Sequence, residues 1–385
     1  MIKVFEVSAD ASLGGAPKHI LTLLKGLDKS IFQLVLICPE GWLQKEAEKL
    51  GIKVFVVPFG GFFDRKSVAK LKHLIKKHQP QIVHLHGVRT GWLGALSLRG
   101  AKTKMVYSEH LYTADYHLES KLRERIQLLG LSFVLKKAKL ILAPSQAVKR
   151  FLMARFKINQ KKIKIIYNGL EDLAENYQAT ELVEQKLGFI GSLNMQKGVE
   201  TLIRAFKKVR RNYPEAKLEI LGDGPLRQGL EREAGKNVSF LGTKKDIGKY
   251  LQNWQMIVVP SRSESFGQIV LEAAMFGKPA IASRVGGLPE VINDGKTGIL
   301  VPYGKTKELQ KAIAYLLENP SLAEKMGKKA RERYEKYFTA GKMVRRMEEL
   351  YRSLLASTSS AKDRGLGVAK PAPYPLHSNP RHAQK

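Results

Sequence analysis

The sequence predicts an α/β fold of two doubly wound halves, each a parallel sheet covered by helices, facing one another across a central cleft. Three observations carry this expectation. Runs rich in Val, Ile, Leu and aromatic residues alternate with amphipathic helical stretches almost from end to end. The alternation pauses once, in the acidic and polar text NGLEDLAENYQATELVEQ around residues 168–185. And 385 residues are too many for one compact core. Strand–helix–strand repetition gives parallel sheets, whose ligands bind outside the carboxyl ends of the strands.

The first domain, 1–167, carries the strand candidates IKVFEVS, FQLVLIC, KVFVVP, QIVHLHG, KMVYSEH, AKLILAPS and KIKIIYNG. Each stops at a polar residue, Gly or Pro. Between them Pro17–Asp28 and Lys66–His78 read as helices, with Pro17 acceptable in a first turn. After the linker at 168–185, a second domain over 186–338 repeats the pattern with KLGFIGS, AKLEILG, VSFLG, QMIVVPS, KPAIAS and GILVP. Helices are expected there at 198–211, 225–235, 244–253, 266–276, 306–317 and 320–338. A C-terminal helix within 339–356 is expected to pack back on the first domain. Residues 357–385, with Pro, Ser and Gly but few large apolar residues, read as a disordered basic tail.

The 44% hydrophobic and 26% charged residues are those of a soluble globular protein. Cys38 alone excludes a disulfide framework or a cysteine metal cluster and fits a reducing compartment. MIKVFEV lacks the marks of a secretory leader, and no run of about 18 apolar residues suits a membrane span. A cytoplasmic location follows as the expectation.

The charge is unusual: 66 Lys and Arg against 35 Asp and Glu, a net +31. Residues 121–164 hold 13 basic residues against Glu124 alone. Such a patch attracts nucleic acid or an anionic membrane surface, unless it is simply a solvated basic face. No zinc finger, RNP motif or KH-type loop stands out, so no specific nucleic-acid partner is expected. Leu122, Ile126, Leu129 and Phe133 recur at i, i+4, i+7 and i+11. They form either a core-facing stripe or a face that docks on anionic lipid. The charge density favours docking, through Lys121, Arg123, Arg125, Lys136, Lys137 and Lys139.

Four strand-end loops bear candidate chemistry. SLGGAPKH, with Gly14 and Gly15, forms either a plain tight turn or an anion-binding helix start, and the Gly14 loop could also meet an acceptor. HLHG and SEH end strands with histidines; His84 reads as a hydrogen-bonded structural residue, and His110 as one delivered to the cleft. No helical ligand spacing points to zinc. In GFIGSLNMQKGVETLI, Lys197 is a surface lysine or a compact positive charge at the cleft mouth, suited to a departing diphosphate. EILGDGP supports the fold rather than an activity.

The stretch SESFGQIVLEAAMFG sets Glu264 and Glu272 in apolar surroundings. Buried carboxylates need partners. A helix start over Gly267, Gln268 and Ile269 offers N–H donors to an anion, with the two glutamates on either side. That suits a sugar–diphosphate–ribose molecule: Glu264 on sugar hydroxyls, the amides on phosphates, Glu272 on the ribose diol.

These motifs, with GKPAIASRVGGLPEVINDGKTGILV, IVHLHG, SEH, YNG, GSL…KGVETLI and LGDGP in order, resemble glycosyltransferase family 4, the group 1 glycosyltransferases. The likeness runs to about residue 355. It implies the GT-B fold of two Rossmann-like domains and retaining transfer of a sugar from a UDP- or GDP-sugar, with no cofactor and no metal. Together with the basic stripe at 121–164, this gives the expectation of a glycan or lipid-linked acceptor in cell-surface glycan synthesis and of peripheral contact at the cytoplasmic face of an anionic membrane. Carried onto this chain, the catalytic residues are Glu264, His110 and Lys197. The donor site comprises Gly15, Ser192, Lys197, Phe266, Gly267, Gln268, Ile269 and Glu272. Ser192 stands where many members carry arginine, which either leaves Lys197 short of a second cation unless the N-terminal domain supplies one, or is ordinary variation within the family. The competing expectations are a nucleotide-sugar epimerase of the same architecture and a basic nucleic-acid- or membrane-binding protein.

Overall fold

A computed structural model of the chain describes residues 1–116, 120–177 and 185–356. Residues 178–184 of the expected linker and the expected tail at 357–385 lie outside them. Seven parallel strands build the first sheet: β1 (Ile2–Ser8), β2 (Phe32–Cys38), β3 (Lys53–Val56), β4 (Ile82–His86), β5 (Lys104–Ser108), β6 (Leu140–Ala143) and β7 (Ile163–Ile165). Their crossovers carry α1 (Gly15–Gly26), α2 (Trp42–Lys49), α3 (Arg65–His78), α4 (Val88–Ser97), α5 (Lys121–Lys137) and α6 (Gln146–Phe156).

The second sheet has six strands, β8 (Lys186–Ile190), β9 (Lys217–Leu221), β10 (Val238–Gly242), β11 (Met256–Val259), β12 (Ala280–Ser283) and β13 (Gly298–Val301). Around it lie α7 (Val199–Val209), α8 (Arg227–Glu233), α9 (Gly248–Leu251), α10 (Gln268–Met275), α11 (Leu288–Val291), α12 (Thr306–Glu318) and α13 (Pro320–Tyr337). A final helix, α14 (Ala340–Ala356), ends the described chain. This is the expected GT-B arrangement of two Rossmann-like sheets.

The strand orders place the ligand crevice. The first sheet runs β3-β2-β1-β4-β5-β6-β7 and reverses between β1 and β4; the second runs β10-β9-β8-β11-β12-β13 and reverses between β8 and β11. Loops leaving β1 and β8 at these switch points face the crevice. In the first sheet Val4 pairs with Leu34 on one side and Ile82 on the other. Its strands are covered on both faces, which explains why they read as continuous apolar runs.

All the expected strands are present, most trimmed by a residue or two at their ends and β7 by four at its C-terminal end, whereas some helices are much shorter than expected: 244–253 contracts to α9 and 225–235 to α8. The sequence reading did not nominate α4, whose glycines look like breakers. Their role is proximity: a Cβ on Gly94 would lie 2.5 Å from Leu85, and one on Gly91 2.8 Å from Val134. Glycine lets α4 lie directly on β4 and α5.

The chain crosses back at Thr339. Leu170 N–H donates to Phe338 O and Ala340 N–H to Leu170 O. Helix α14 then buries Met343, Val344, Met347, Tyr351 and Leu354 in the N-terminal core beside Ile20 and Leu24 of α1.

Candidate active site

The crevice is a cleft of about 590 Å³ between the two sheets, within the size range of small-molecule sites. Its N-terminal wall begins with the loop after β5. Glu109, 1% exposed, accepts the backbone N–H groups of His110, Leu111 and Tyr112 at 2.9, 2.8 and 3.2 Å and the Tyr107 hydroxyl at 2.7 Å. Burial raises the Glu109 carboxyl above its ordinary pKa, against the pull of these donors. The carboxylate thus moulds the turn that presents His110. Two bonds tie this turn to the other domain: the Ser265 hydroxyl donates to His110 O (2.6 Å), and Thr113 and Ser263 share a hydroxyl bond of 2.7 Å.

The C-terminal wall is built around α10. Its N-cap is Gly267, at φ 101°, where a side chain would be strained and would strike Leu288 at 2.7 Å. Gly286, at φ 51°, packs so tightly that a Cβ would lie 1.9 Å from Glu264 O, and Gly287 N–H donates to that same carbonyl at 2.9 Å. These contacts fix the backbone that carries Glu264.

Both glutamates have found lysines. Lys197 Nζ lies 2.7 Å from Glu264 Oε2 within the C-terminal domain. Lys18 Nζ, from α1, lies 2.5 Å from Glu272 Oε1 across the cleft. Glu272 is buried, and the lysine neutralises a charge that would otherwise be costly there. Gln268 Nε2 makes a second bridge, to Gly15 O at 3.1 Å.

Every residue expected to be catalytic or to bind the donor lines this cleft, as do Gly14 and Lys18. The Phe266 ring is buried against Tyr167 and Phe338 and anchors the loop in the core. Of the two expectations for SLGGAPKH, the structure shows a helix start: Gly14 is the extended N-cap of α1. At Gly15 the glycine matters for space, because a Cβ would sit 3.0 Å from Gln268 Oε1.

Beneath the cleft floor lies a polar network that the sequence reading missed, apart from placing His84 structurally. Glu6 Oε1 meets Tyr351 Oη and Oε2 meets His86 Nε2, each at 2.7 Å. His84 bonds Tyr351 (2.6 Å) and Ser108 (2.7 Å), and His86 Nδ1 lies 3.0 Å from His110 Nε2. Burial opposes ionisation of Glu6, yet the charges and hydrogen bonds of His84 and His86 outweigh it and hold the carboxyl far below the usual range. Burial, reinforced by neighbouring imidazoles, lowers His86 to about 4 and His110 well below its ordinary value. Glu6, His84 and His86 are close enough to hold a metal ion. Their donor atoms are instead committed to one another and to Tyr351, and they fit a hydrogen-bonded set.

The stripe on α5 faces outward. Leu122, Ile126 and Leu129 are 69, 43 and 72% exposed, while Leu131, Val134 and Leu135 make the buried face. A core-facing reading of the stripe is therefore excluded for these three; only Phe133 turns inward, onto Trp92. Lys121, Arg123, Arg125, Lys136, Lys137 and Lys139 are all exposed. Among the described residues no helix is long and apolar enough to cross a membrane.

Comparison with known proteins decides the family. Residues 13–172 match Glycosyltransferase Family 4 and residues 174–333 match Glycosyl transferases group 1. An uncharacterized glycosyltransferase of Methanocaldococcus jannaschii, MJ1069, is 30% identical over 278 residues, 67% of this chain and 70% of its own. The chain belongs to the group 1 glycosyltransferases. The D-rhamnosyltransferase WbpZ of Pseudomonas aeruginosa is 38% identical to this glycosyltransferase over 198 residues, 47% of this chain and 51% of its own. The chain spans about half the length of several curated relatives it matches. In fold, this glycosyltransferase superposes on Anabaena HepE, solved with UDP and glucose, with a TM-score of 0.78 at 20% identity, over 92% of this chain and all of the other.

Proposed function

We propose that this glycosyltransferase moves a sugar from a UDP- or GDP-sugar, with retention and without a metal, to a glycan or lipid-linked acceptor at the cytoplasmic face of an anionic membrane. The reaction would serve cell-surface glycan synthesis. The observation that carries the reading is the pair of lysine–glutamate contacts flanking the start of α10 in one interdomain cleft. When a donor enters, Glu264 and Glu272 exchange lysines for sugar and ribose hydroxyls. Lys197 and Lys18 are then released toward the diphosphate between them, where the α10 N-terminus adds its dipole. Lys18 supplies the second cation that Ser192 does not. An acceptor hydroxyl attacks from the face the diphosphate leaves, and a leaving phosphate oxygen takes its proton.

The names of WbpZ, a rhamnosyltransferase, and of HepE, solved with UDP and glucose, support a nucleotide-linked hexose. The outward apolar stripe on a basic helix supports lipid contact. Thermal shift with UDP-, GDP- and ADP-sugars tests the donor, because a ligand that binds the folded state raises apparent stability. One nucleotide class should stabilise the protein saturably and be consumed only with acceptor present. No shift with any donor would overturn the reading, and isomerisation without acceptor would make it an epimerase. Co-sedimentation with anionic vesicles at low salt tests docking; wild-type protein left in the supernatant would end that part.

A further inference from the structure

We infer that Glu6 and His86, neither of which is part of the cleft wall, are positioning residues that fix His110 as the imidazole protonated on Nε2, leaving Nδ1 as the atom His110 offers to a ligand. Each hydrogen in the network has one place to go. An ionised Glu6 only accepts, so the phenol hydrogen of Tyr351 goes to Oε1 and a ring hydrogen of His86 goes from Nε2 to Oε2. Tyr351 has then spent its hydrogen, so the 2.6 Å contact to His84 Nδ1 is donated by His84. His84 Nε2 in turn accepts from the Ser108 hydroxyl at 2.7 Å. A neutral His86 has no second hydrogen, so its Nδ1 accepts, and the partner at 3.0 Å, His110 Nε2, must carry the hydrogen. The count closes with every member satisfied.

A protonated Glu6 donating to His86 Nε2 would force His110 into the opposite tautomer, but the lowered pKa of Glu6 disfavours it; two hydrogens on His86 would force the same tautomer. The burial that holds His86 near 4 argues against it. Among the described residues, the neighbours whose charge would act on His110 are the imidazoles of His19, His86 and His84. The His19 ring from α1 stands edge-on to His110 and His86 at centroid distances of 5.3 and 5.9 Å, and its own pKa is depressed to about 3 by burial. Glu109, the remaining carboxylate here, is occupied by backbone amides and Tyr107. His110 lines the cleft. As an acceptor at Nδ1 it takes a hydrogen bond from a ligand hydroxyl and cannot give one. Tyr351 lies on α14, so the last helix of the described chain braces the same device.

The kinetic consequence rests on the proposed glycosyl transfer, whereas the tautomer does not. Long-range 1H–15N correlation on 15N-histidine-labelled protein, with His110→Asn to assign the signal, should show His110 protonated on Nε2 at pH 7.5. His86→Gln keeps the pattern, its amide donating to Glu6 and its carbonyl accepting from His110, and should keep both tautomer and rate. His86→Leu and Glu6→Gln should lose the single tautomer and lower kcat about 10- to 100-fold, with donor KM little changed. Should His86→Leu fail to fold, Glu6→Gln, which preserves shape, decides. An Nδ1-protonated His110 in the wild type, an unchanged tautomer in Glu6→Gln, or a His86→Gln as impaired as His86→Leu would each overturn the inference. A correct tautomer in a protein that transfers no sugar would refute the proposed function alone.

Discussion

Glu290, on α11 of the C-terminal domain, caps a helix of the N-terminal domain. Its two carboxylate oxygens accept the N–H groups of Gln146 and Ala147, the first turn of α6, at 2.8 and 2.9 Å, and the Tyr167 hydroxyl joins at 2.9 Å. Free N–H groups at a helix start favour an anion, and here the anion comes from across the interface. Glu290→Gln keeps shape but loses the charge and part of the acceptor capacity. We predict a loss of about 1 kcal/mol in thermal stability, a larger radius of gyration by small-angle scattering, and a raised donor KM. Unchanged scattering and KM would make the cap irrelevant to domain closure.

The two lysine–glutamate pairs predict different phenotypes. Lys197 and Glu264 lie within one domain, so exchanging Glu264 for alanine leaves a folded protein that transfers no sugar. Lys18 and Glu272 span the domains, so Lys18→Met weakens the closed form as well as the grip on the diphosphate. It should raise donor KM and lower kcat, by about tenfold in kcat/KM for each 1.4 kcal/mol lost. Steady-state kinetics check both. Full activity in the Glu264 variant, or wild-type kinetics in the Lys18 variant, would remove the corresponding residue from the site.

How much of this was legible follows from distance along the chain. Strands buried on both faces announce themselves as apolar runs, and the residues around α10 sit within one motif, so the sheets and the C-terminal wall could be read directly. Lys18 could not be matched to Glu272, 254 residues away, until the domains were in place. The Glu6 network did leave a local sign. A glutamate inside IKVFEVS is as anomalous as Glu272 inside IVLEAA, and the same reasoning about buried carboxylates applies to it. Its partners, His84 beside it in register and Tyr351 some 345 residues later, have no sequence signal linking them. The outward stripe of α5 was ambiguous because helical spacing reports a face without saying what covers it.

Glu6 also predicts a pH dependence. Its folded pKa lies below the unfolded value near 4.5, so its stabilising contribution is complete above that value and is lost as pH falls toward the folded pKa. Glu6→Gln should therefore cost most at pH 6–7, and the difference from wild type should shrink as pH drops from about 5 to 3. Paired denaturation curves across that range measure it. A difference that stays constant with pH would mean that the carboxyl titrates in the folded protein as it does in the unfolded chain.

Lys278 carries the opposite expectation. It precedes β12, is 7% exposed, and its ammonium donates to Gln252 O at 2.8 Å; the small apolar cavity beside it includes Val270, Leu271 and Ala280, with Arg333 the other cation there. Burial pulls its pKa from 10.5 down to about 8. The folded state therefore disfavours the charged form: the cost is complete below pH 8 and fades as pH rises from 8 to 10.5. Lys278→Met retains the packing of the stem and removes the charge. Allowing for the carbonyl partner and partial screening, it should stabilise the protein by about 1 kcal/mol at pH 7, with the gain vanishing near pH 10. Denaturation at pH 7, 9 and 10 reads this directly, and a variant less stable than wild type at pH 7 would show that the bond to Gln252 outweighs the burial of the charge.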